Sequence, residues 1–445
     1  MKQTTLSADW QSWVEENRAR NCDLDEMVEI LKQNGFSSET AMSAVYKQQD
    51  KANSSPYIPT SQTEFNQDAE VYSIENFLDP NECMKLIELI RDYQRPSTTT
   101  NDQGKFKDYR TSQTCDLSLI DSPFVKEIDR RICKMLGISD SYSEGIQGQW
   151  YNIGEEFKEH TDYFEPNSKE YSEYASEQGQ RTWTFMIYLN TTQSGGETHF
   201  PKLNRSFSPK QGKAVIWNNL NPDGSPNSFT LHHGMPVKEG YKAIITKWFR
   251  IKGEGDSCNR EQNENIRCHT QTGFLKSTIP SALFHQILMF HANNKEQLKA
   301  ESVPGFIHSE TGQASAVLEL PEELRKQIHS DLQPIAESWS GSLLIPSYVY
   351  GIREYYRGAI LEPHRDRLQT HEVSLILNIH QKVDSDWPLV IEDHHYRQHH
   401  IYLKPGQMIL YEGCRLLHGR PRPFEGDFFA NIFVHYSLNA EKRRK

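Results

Sequence analysis

The feature that most constrains this 445-residue chain is a pair of polar segments separated by a series of short apolar runs. The first segment contains His160-Thr-Asp162, and the second, some seventy residues later, contains His232-His233-Gly234. Side chains alternate between the two faces of a strand, so His160 and Asp162 point the same way and can bind one ion. A third ligand must then come from a distant strand folded back beside the first, and His232 is placed for that. The pattern predicts a mainly β structure in which the two segments lie side by side.

The residue types in these segments suit an iron site with a bound oxo acid. Two imidazoles and one carboxylate leave three metal positions open, which an iron that activates O2 requires. Imidazole suits Fe(II) and Zn(II) about equally, so the ligand types alone do not choose between them. Lys242 lies ten residues after His232, beyond a Glu239-Gly240 turn, where its ammonium can pair with the far carboxylate of the acid. The sequence therefore predicts a site for a metal ion and 2-oxoglutarate.

A lone His-x-Asp triplet is a weak signal, and the surrounding strands strengthen it. Residues 181–190 alternate like a half-buried strand, and 214–217 and 243–249 are short apolar strands. Three stretches, YNIGEEFKEHTDYF, RTWTFMIYLNTTQSGGETHFP and LHHGMPVKEGYKAIITKW, together with Arg110-Thr-Ser112, resemble the prolyl 4-hydroxylase family of Fe(II)/2-oxoglutarate dioxygenases. The resemblance covers residues from about 70 to 252.

The resemblance implies a role for each matching residue. It implies His160, Asp162 and His232 as iron ligands, Lys242 for the C5 carboxylate of 2-oxoglutarate, Tyr151, Thr184 and Trp248 as the lining of the co-substrate pocket, and Arg110, Thr111 and Ser112 for the substrate. The His-x-Gly pattern and the offset to Lys242 select His232 over His233, which we expect to face outward.

The resemblance also implies an activity. The expected reaction is hydroxylation of a prolyl residue in a peptide or protein, with release of succinate and CO2 and with ascorbate as the reductant. Three alternatives remain open. The oxygenase could act on a non-prolyl or free amino-acid substrate, the chain could bind a peptide without turnover, or the metal could be the zinc of a hydrolase.

The C-terminal half repeats the pattern. Tyr355 and Gly358 precede His364 by the same offsets that Tyr151 and Gly154 have from His160. A second set of metal ligands would then be His364, Asp366 and His418, and the ordered repeat predicts a duplicated fold. Counting along the chain places Phe428 where the first copy has Lys242. Either Arg420 or Arg422 supplies the cation instead, or this half binds 2-oxoglutarate poorly or not at all.

The fold class we expect is mainly β with supporting helices (α+β), with two double-stranded β-helix (jelly-roll) domains after a small helical module. The module resembles a ubiquitin-associated domain, and its expected role is docking. The predicted boundaries are 1–50 for the module, 51–69 for a linker, 70–252 for the prolyl 4-hydroxylase-like domain, 253–275 for a second linker and 276–445 for the second dioxygenase-like domain. Asp79-Pro80 and Ser122-Pro123 are typical of helix starts.

Composition narrows the partners and the location. A net charge of −11 and a pI near 5.9 give no electrostatic footprint for nucleic acid, and they favour neutral or basic polypeptides. Seven cysteines without paired spacing predict reduced thiols and a cytoplasmic location. No apolar run approaches a membrane span, so we expect no membrane association. The substrate and the oligomeric state stay undetermined.

Two further groups could mislead. The histidines at 394, 395, 399 and 400 predict an exposed hairpin, because neighbours on a strand face opposite sides and offer no three-ligand face. Cys258 and Cys268 have no paired cysteines nearby, so we expect no zinc site there.

Overall fold

In the computed structural model of this protein, the described residues are 6–19, 24–45, 63–65, 68–97, 110–166, 168–221, 223–253, 266 and 268–438. The chain divides into two compact units, Met1–Ser54 and Ser55–Lys445. The predicted linker at 51–69 lies outside the described residues except for 63–65 and 68–69, and so does most of the linker at 253–275. No described helix is both long and apolar enough to cross a membrane.

The N-terminal unit contains three helices, as the sequence predicted. They are α1 (Ala8–Ala19), α2 (Leu24–Gln33) and α3 (Ser38–Val45). Helix α2 ends before Gly35, whose φ of 91° lies in the left-handed region that favours glycine. The turn lets Phe36 donate its backbone N–H to the Leu31 carbonyl oxygen at 3.2 Å, and both side chains lie in the core of this unit.

The second unit begins with a set of antiparallel strands that pack face to face. These strands are β1 (Thr63–Phe65), β2 (Val71–Ile74), β3 (Arg95–Pro96), β4 (Gln113–Asp116), β5 (Gln147–Tyr151), β6 (Phe157–His160), β7 (Arg181–Tyr188), β8 (Ser194–Gly195), β9 (Thr198–Phe200), β10 (Arg205–Phe207), β11 (Ala214–Asn218), β12 (His232–Gly234), β13 (Val237–Glu239) and β14 (Lys242–Arg250). An eight-stranded sheet has the order β1-β2-β11-β7-β14-β5-β4-β3, and a four-stranded sheet has the order β10-β9-β12-β6. Aromatic and aliphatic side chains of both sheets, including Tyr188, Phe200 and Trp217, form the core between them.

A second set of strands follows in the same unit. These strands are β15 (Phe274–Thr278), β16 (Lys299–Glu301), β17 (Ile307–Ser309), β18 (Ser315–Leu318), β19 (Leu344–Val349), β20 (Ile352–Tyr355), β21 (Ala359–His364), β22 (Val373–Val383), β23 (Leu389–Glu392), β24 (Gln398–Ile401), β25 (Gln407–Tyr411), β26 (His418–Arg420) and β27 (Gly426–Leu438). The larger sheet has the order β15-β25-β22-β27-β20-β18-β16, with β19 also on β27, and the smaller has the order β17-β21-β26-β23-β24. The strand order of the first sheet pair recurs in the second. In the larger sheets, β2-β11-β7-β14-β5-β4-β3 corresponds to β15-β25-β22-β27-β20-β18-β16, and in the smaller sheets, β10-β9-β12-β6 corresponds to β24-β23-β26-β21.

Helices cover the outer faces of the larger sheets. They are α4 (Pro80–Tyr93), α5 (Pro123–Leu136), α7 (Ser281–Asn293) and α8 (Glu322–Ser340), while the short α6 (Lys169–Tyr174) lies in a loop. Helix α4 begins as predicted, because Asp79 and Glu82 exchange backbone and side-chain hydrogen bonds of 2.9 Å in a capping box. Gly148 lets α4 approach the sheet closely, since a Cβ there would lie 2.5 Å from Ile90.

The prediction of an exposed histidine hairpin is wrong for its first two members. His394 and His395 are 6% and 9% exposed. Arg131 of α5 donates to the carbonyl oxygen of His395 at 3.2 Å, and the Phe77 ring lies 5.9 Å from the His395 ring. The first half of the unit therefore covers this segment of the second half.

Cys268 has partners that the sequence did not suggest, while Cys258 lies outside the described residues. Cys268, His394 and Glu412 place ligand-type atoms within 4.8 Å of one another. However, His394 Nδ1 lies 3.1 Å from Arg415 Nε and its Nε2 lies 3.2 Å from Glu412. Although burial opposes it, hydrogen bonds with Cys268 and Glu412 raise the pKa of His394 to about 9, which favours the imidazolium, with both ring nitrogens protonated. No imidazole lone pair is left for a metal, and this arrangement is a hydrogen-bonded network.

Candidate active site

The two polar segments of the sequence meet on the smaller sheet of the first pair. His160 ends β6 and His232 begins β12, and the two residues are direct partners across this antiparallel pair. Asp162 follows two residues after His160. One ligand-type atom from each of the three side chains lies within 4.8 Å of the other two. Asp162 and His232 are 6% and 5% exposed, so the cluster opens to only one side.

Backbone carbonyls orient both imidazoles. His160 Nδ1 donates to the Lys158 carbonyl oxygen at 2.7 Å, and His232 Nδ1 donates to that of Thr230 at 2.9 Å. Each Nε2 therefore keeps a lone pair for a metal. The Phe157 ring stacks on His160 with 3.4 Å between the ring centroids. Burial and the neighbouring His232 lower the pKa of His160 well below its usual value, which keeps this ring neutral.

Thr184 holds the carboxylate in place. Its Oγ1 donates to Asp162 Oδ2 at 2.7 Å and accepts from Asn219 Nδ2 at 2.9 Å. The family resemblance placed the Thr184 hydroxyl in the lining of the co-substrate pocket, and this expectation needs correction. Because strand β7 turns Thr184 toward Asp162, its hydroxyl is used by the carboxylate. Asn219 was missed, because nothing in the local sequence marks it.

Lys242 lies beside this cluster on β14. Its side chain is 1% exposed, and its Nζ lies 4.2 Å above the Tyr151 ring, the residue opposite it on β5. Among the described residues, no hydrogen-bond acceptor contacts this ammonium. Burial lowers the pKa of Lys242 to about 7, while the Glu197 carboxylate opposes the shift. A Cβ at Gly234 would lie 3.6 Å from Nζ, so the glycine of the His-x-Gly pattern leaves room for the lysine.

Two cavities share the cluster as a wall. The smaller one, of about 40 Å³, connects the cluster to Tyr151 and Lys242. The larger one is an open groove of about 680 Å³. Trp248 lines both, with the Arg181 guanidinium 4.2 Å above its ring and paired to Glu144 at 2.7 Å. Arg181 was not identified from the sequence, although it fixes this aromatic wall.

Only one of the three predicted substrate residues faces the groove. Arg110 lines it, with its guanidinium 5.1 Å from the Phe157 ring. Thr111 instead exchanges hydrogen bonds with the backbone of Glu156, and the buried Ser112 bonds to the Ser97 hydroxyl at 2.9 Å. Neither Thr111 nor Ser112 lines the groove, because the Glu156 backbone takes up the Thr111 hydroxyl and the Ser97 and Arg110 side chains take up that of Ser112.

The groove is lined by charged side chains of both signs. Apart from the cluster itself, these are Asp116, Glu144, Glu159, Glu165, Glu170, Arg110 and Arg181. Glu144 forms ion pairs with Arg181 and Arg250, both at 2.7 Å, and Asp116 forms one with Arg95, also at 2.7 Å. Pairing within the protein therefore neutralises these two carboxylates.

Comparison with known proteins decides the family. Residues 146–250 match the family model of the 2OG-Fe(II) oxygenase superfamily. A putative prolyl 4-hydroxylase of Acanthamoeba polyphaga mimivirus is 33% identical over 180 residues, which cover 40% of this chain and 73% of the viral protein. The chain belongs to the prolyl 4-hydroxylase family. It is a 2-oxoglutarate- and Fe(II)-dependent dioxygenase, which confirms the prediction from sequence.

Other members of this family give a consistent picture. Probable prolyl 4-hydroxylase 10 of Arabidopsis thaliana is 32% identical over 206 residues, covering 41% of this chain and 68% of the plant protein. A solved structure of a viral collagen prolyl hydroxylase from Paramecium Bursaria Chlorella virus-1, in complex with 2OG, matches with 26% identity and a TM-score of 0.34. It covers 42% of this chain and 97% of that protein.

The residues present fit the metal and co-substrate of the family. Two oriented imidazole nitrogens and a carboxylate provide the donor set that non-haem iron takes. A buried ammonium without an acceptor fits the distal carboxylate of 2-oxoglutarate, since burial of an unpaired charge is costly. His233 faces the other side of β12, as expected, and its Nε2 bonds to Glu156 at 2.8 Å.

The C-terminal half contains a second cluster of the same composition. Ligand-type atoms of His364, Asp366 and His418 lie within 4.8 Å of one another. The position predicted for the missing lysine needs correction by one residue. Phe429, not Phe428, is the strand partner of Tyr355, as Lys242 is of Tyr151. Because the register between β22 and β27 shifts, counting residues along the chain and reading partners across the sheet give positions that differ by one residue.

Proposed function

We propose that the first sheet pair hydroxylates a prolyl residue of a peptide or protein. The observation that supports this most directly is the convergence of His160, Asp162 and His232 beside the buried ammonium of Lys242. In this proposal the three ligands hold Fe(II), and Lys242 holds the distal carboxylate of 2-oxoglutarate. When bound, iron and 2-oxoglutarate supply oxidation of a C–H bond by O2, coupled to decarboxylation of the oxo acid to succinate and CO2.

The protein's own contribution is position and exclusion of water. The carbonyls of Lys158 and Thr230 fix the two imidazoles, and Thr184 fixes Asp162. Phe157 and Trp248 form apolar walls next to the ligands. Such outer contacts set the direction of each ligand before the metal binds.

We also propose that the substrate is a neutral or basic polypeptide segment that lies in the open groove. Its volume of about 680 Å³ is large enough for several residues, and the protein's net charge of −11 favours a neutral or basic segment through long-range electrostatics. Arg110 stands at the rim of the metal cluster, where it can donate to a peptide carbonyl. We propose ascorbate as the external reductant.

The test is succinate release from a proline-containing peptide with Fe(II), 2-oxoglutarate and O2, together with mass spectrometry of the peptide. Turnover and a hydroxyl group on the prolyl ring are expected for the wild type. Asp162→Ala should abolish both. Asp121→Ala makes the same change at an exposed side chain and should retain both. Unchanged succinate release in Asp162→Ala would contradict the proposal.

The same measurement separates the alternatives. A hydroxyl group on another side chain, or turnover with free amino acids only, would indicate a non-prolyl substrate. Peptide binding without succinate release would indicate a binding protein. Activity retained with Zn(II) in place of Fe(II) would indicate a hydrolase.

We propose further that the two sheet pairs are two double-stranded β-helix domains at 70–252 and 276–445, after a ubiquitin-associated-like module at 1–50. The recurring strand order supports the duplication. Strand β15 begins at Phe274, which supports a start of the second domain near residue 276. A cytoplasmic location is supported by the described cysteines Cys83, Cys115, Cys268 and Cys414, none of which is in a disulfide bond with another described cysteine.

A further inference from the structure

The two sheet pairs can be compared residue by residue through their strand registers. Tyr151 lies opposite Lys242 in the first pair, and Tyr355 lies opposite Phe429 in the second. In the smaller sheets, Gly234 lies opposite Phe157, and Arg420 lies opposite Leu361. The same pairs of strands also place two histidines directly opposite each other, His160 and His232 in the first copy and His364 and His418 in the second. The second copy therefore has Phe429 in place of Lys242 and Arg420 in place of Gly234.

The metal-binding part of the second copy is complete. Asp366 Oδ1 lies 3.8 Å from Nε2 of both His364 and His418. The Nδ1 atoms of these histidines donate to the carbonyl oxygens of Glu362 and Leu416 at 2.7 and 2.9 Å, as in the first copy. Both Nε2 lone pairs are thus turned toward the carboxylate.

The carboxylate is also held as in the first copy. Ser374 Oγ donates to Asp366 Oδ2 at 3.1 Å, from the position that Thr184 has in the first sheet. The Tyr411 hydroxyl adds a second contact to this oxygen at 3.3 Å. The ligand set is therefore oriented from outside in the way a bound metal requires.

The region that corresponds to the co-substrate pocket of the first copy, in contrast, is filled by side chains of the protein. The guanidinium of Arg420 lies between two rings, 4.7 Å from Trp387 and 4.6 Å from Phe429, and it donates to the Trp387 carbonyl oxygen. All three side chains are 5% exposed or less. The cavity of about 110 Å³ beside the second cluster is not lined by Arg420 or Phe429. The cation that replaces Lys242 is enclosed between these side chains and does not line the cavity beside the metal cluster.

The other cation near this cavity is already neutralised. Arg353 lines the cavity, but it forms a two-point ion pair with Glu301 through bonds of 2.7 Å. The two side chains are 11% and 6% exposed, and the Tyr350 hydroxyl also donates to Glu301. A dicarboxylic acid could pair with Arg353 only by displacing a buried carboxylate of the protein.

We infer that His364, Asp366 and His418 bind a divalent metal ion at a site from which 2-oxoglutarate is excluded by the Trp387–Arg420–Phe429 stack. The second half then acts as a metal-holding partner of the first and does not turn over the co-substrate. The inference rests on the proposed function only for the identity of the excluded acid.

The experiment counts metal and co-substrate separately, without turnover. Metal-free full-length protein is titrated with Mn(II), with free Mn(II) followed by electron paramagnetic resonance, and the loaded protein is titrated with 2-oxoglutarate by calorimetry. The wild type should bind two Mn(II) and one 2-oxoglutarate. Asp162→Ala and Asp366→Ala form a matched pair, and each should bind one Mn(II). Only Asp366→Ala should still bind 2-oxoglutarate.

Three results would overturn or separate the claims. Binding of 2-oxoglutarate by Mn(II)-loaded Asp162→Ala would overturn the exclusion. Two Mn(II) retained in both Asp366→Ala and His364→Ala, with the wild-type melting temperature, would overturn the second metal site. If Asp366→Ala fails to fold, the number of Mn(II) ions bound by His364→Ala and by the wild type decides whether the second metal site exists. Two Mn(II) without any 2-oxoglutarate in the wild type would refute the function proposed for the first site and would agree with the second site as inferred.

Discussion

The buried ammonium of Lys242 should make co-substrate binding depend on pH. Burial lowers its pKa to about 7, so about half of the protein without co-substrate carries a neutral amine at pH 7. The facing Tyr151 stays neutral in this range, because burial raises the pKa of its hydroxyl, and Glu197 is the acid that favours the ammonium. A carboxylate binds the ammonium form, so 2-oxoglutarate binding should take up a proton above pH 7.

The size of the effect follows from the protonated fraction. This fraction falls from one half at pH 7 to about one hundredth at pH 9, so the affinity for 2-oxoglutarate should fall about fiftyfold over this range. Calorimetry of Mn(II)-loaded protein at pH 7, 8 and 9, in two buffers with different ionisation enthalpies, measures both the affinity and the proton uptake. Lys242→Met should bind on the order of ten- to a hundredfold more weakly at pH 7, because a charged hydrogen bond is lost.

Lys242→Arg is the matched control, because a guanidinium keeps its charge throughout this range. Any pH effect on the metal itself should appear equally in the wild type and in Lys242→Arg. A steeper decline in the wild type is therefore the expected sign of the lysine. Identical profiles for the two proteins would refute the reasoning, since the lysine would then either stay charged or not contact the acid.

Three more predictions test the surroundings of the site. Thr184→Val removes the hydroxyl that holds Asp162 and should weaken Mn(II) binding about ten- to a hundredfold, whereas Thr184→Ser should keep the wild-type affinity. Equal Mn(II) affinities of the two variants would mean that the hydroxyl does not orient Asp162. A proline peptide with flanking lysines should have a lower KM than the same peptide with glutamates, because the protein's net charge is −11, and the difference should shrink in high salt. A salt-independent ratio would argue against this electrostatic attraction. Arg131→Met leaves Glu82 without its buried partner and should lower the free energy of unfolding, measured by denaturant titration, by about 3 to 5 kcal/mol. The control is Arg91→Met at an exposed position, and equal denaturation midpoints of the two variants would contradict the prediction.

The metal cluster was accessible from the sequence because its geometry is local to two strands. The two-residue period of a strand predicted His160 and Asp162 on one face, and the structure brings their ligand atoms together although β6 ends at His160 and Asp162 lies just beyond it. The partner His232 needed only the assumption that the second polar segment lies beside the first, and the structure pairs these histidines directly. The contacts that hold the ligands in place were not accessible. Asn219 reaches Thr184 across 35 residues, with no local pattern to mark it.

Burial across the two halves of the larger unit was also beyond sequence reasoning. The histidines near residue 395 look like a solvated hairpin, because polar and ionisable residues dominate the segment. Their burial comes from Arg131, which is 264 residues away and is itself 1% exposed. A charged helix residue usually faces water, since unpaired charges are rarely buried. Its pairing with Glu82 and with the carbonyl oxygen of His395 reverses that expectation.

The error at Phe428 has a specific cause in strand geometry. Counting from His418 or from Gly426 assumes that the following strand is regular, and β27 is not, because its register with β22 shifts next to Lys382. One extra residue in a strand turns every later side chain to the opposite face. Phe428 therefore faces the helix side, where the Lys295 ammonium lies 4.2 Å from its ring, and Phe429 faces the opposite side, in the apolar core with Tyr355 and Trp387. Because both residues are phenylalanine, the conclusion that this copy lacks the lysine holds. If only one of these two residues had been basic, the count along the chain would have placed a cation on the wrong face of the strand. The residue opposite Tyr355 in the sheet is therefore the safer reference.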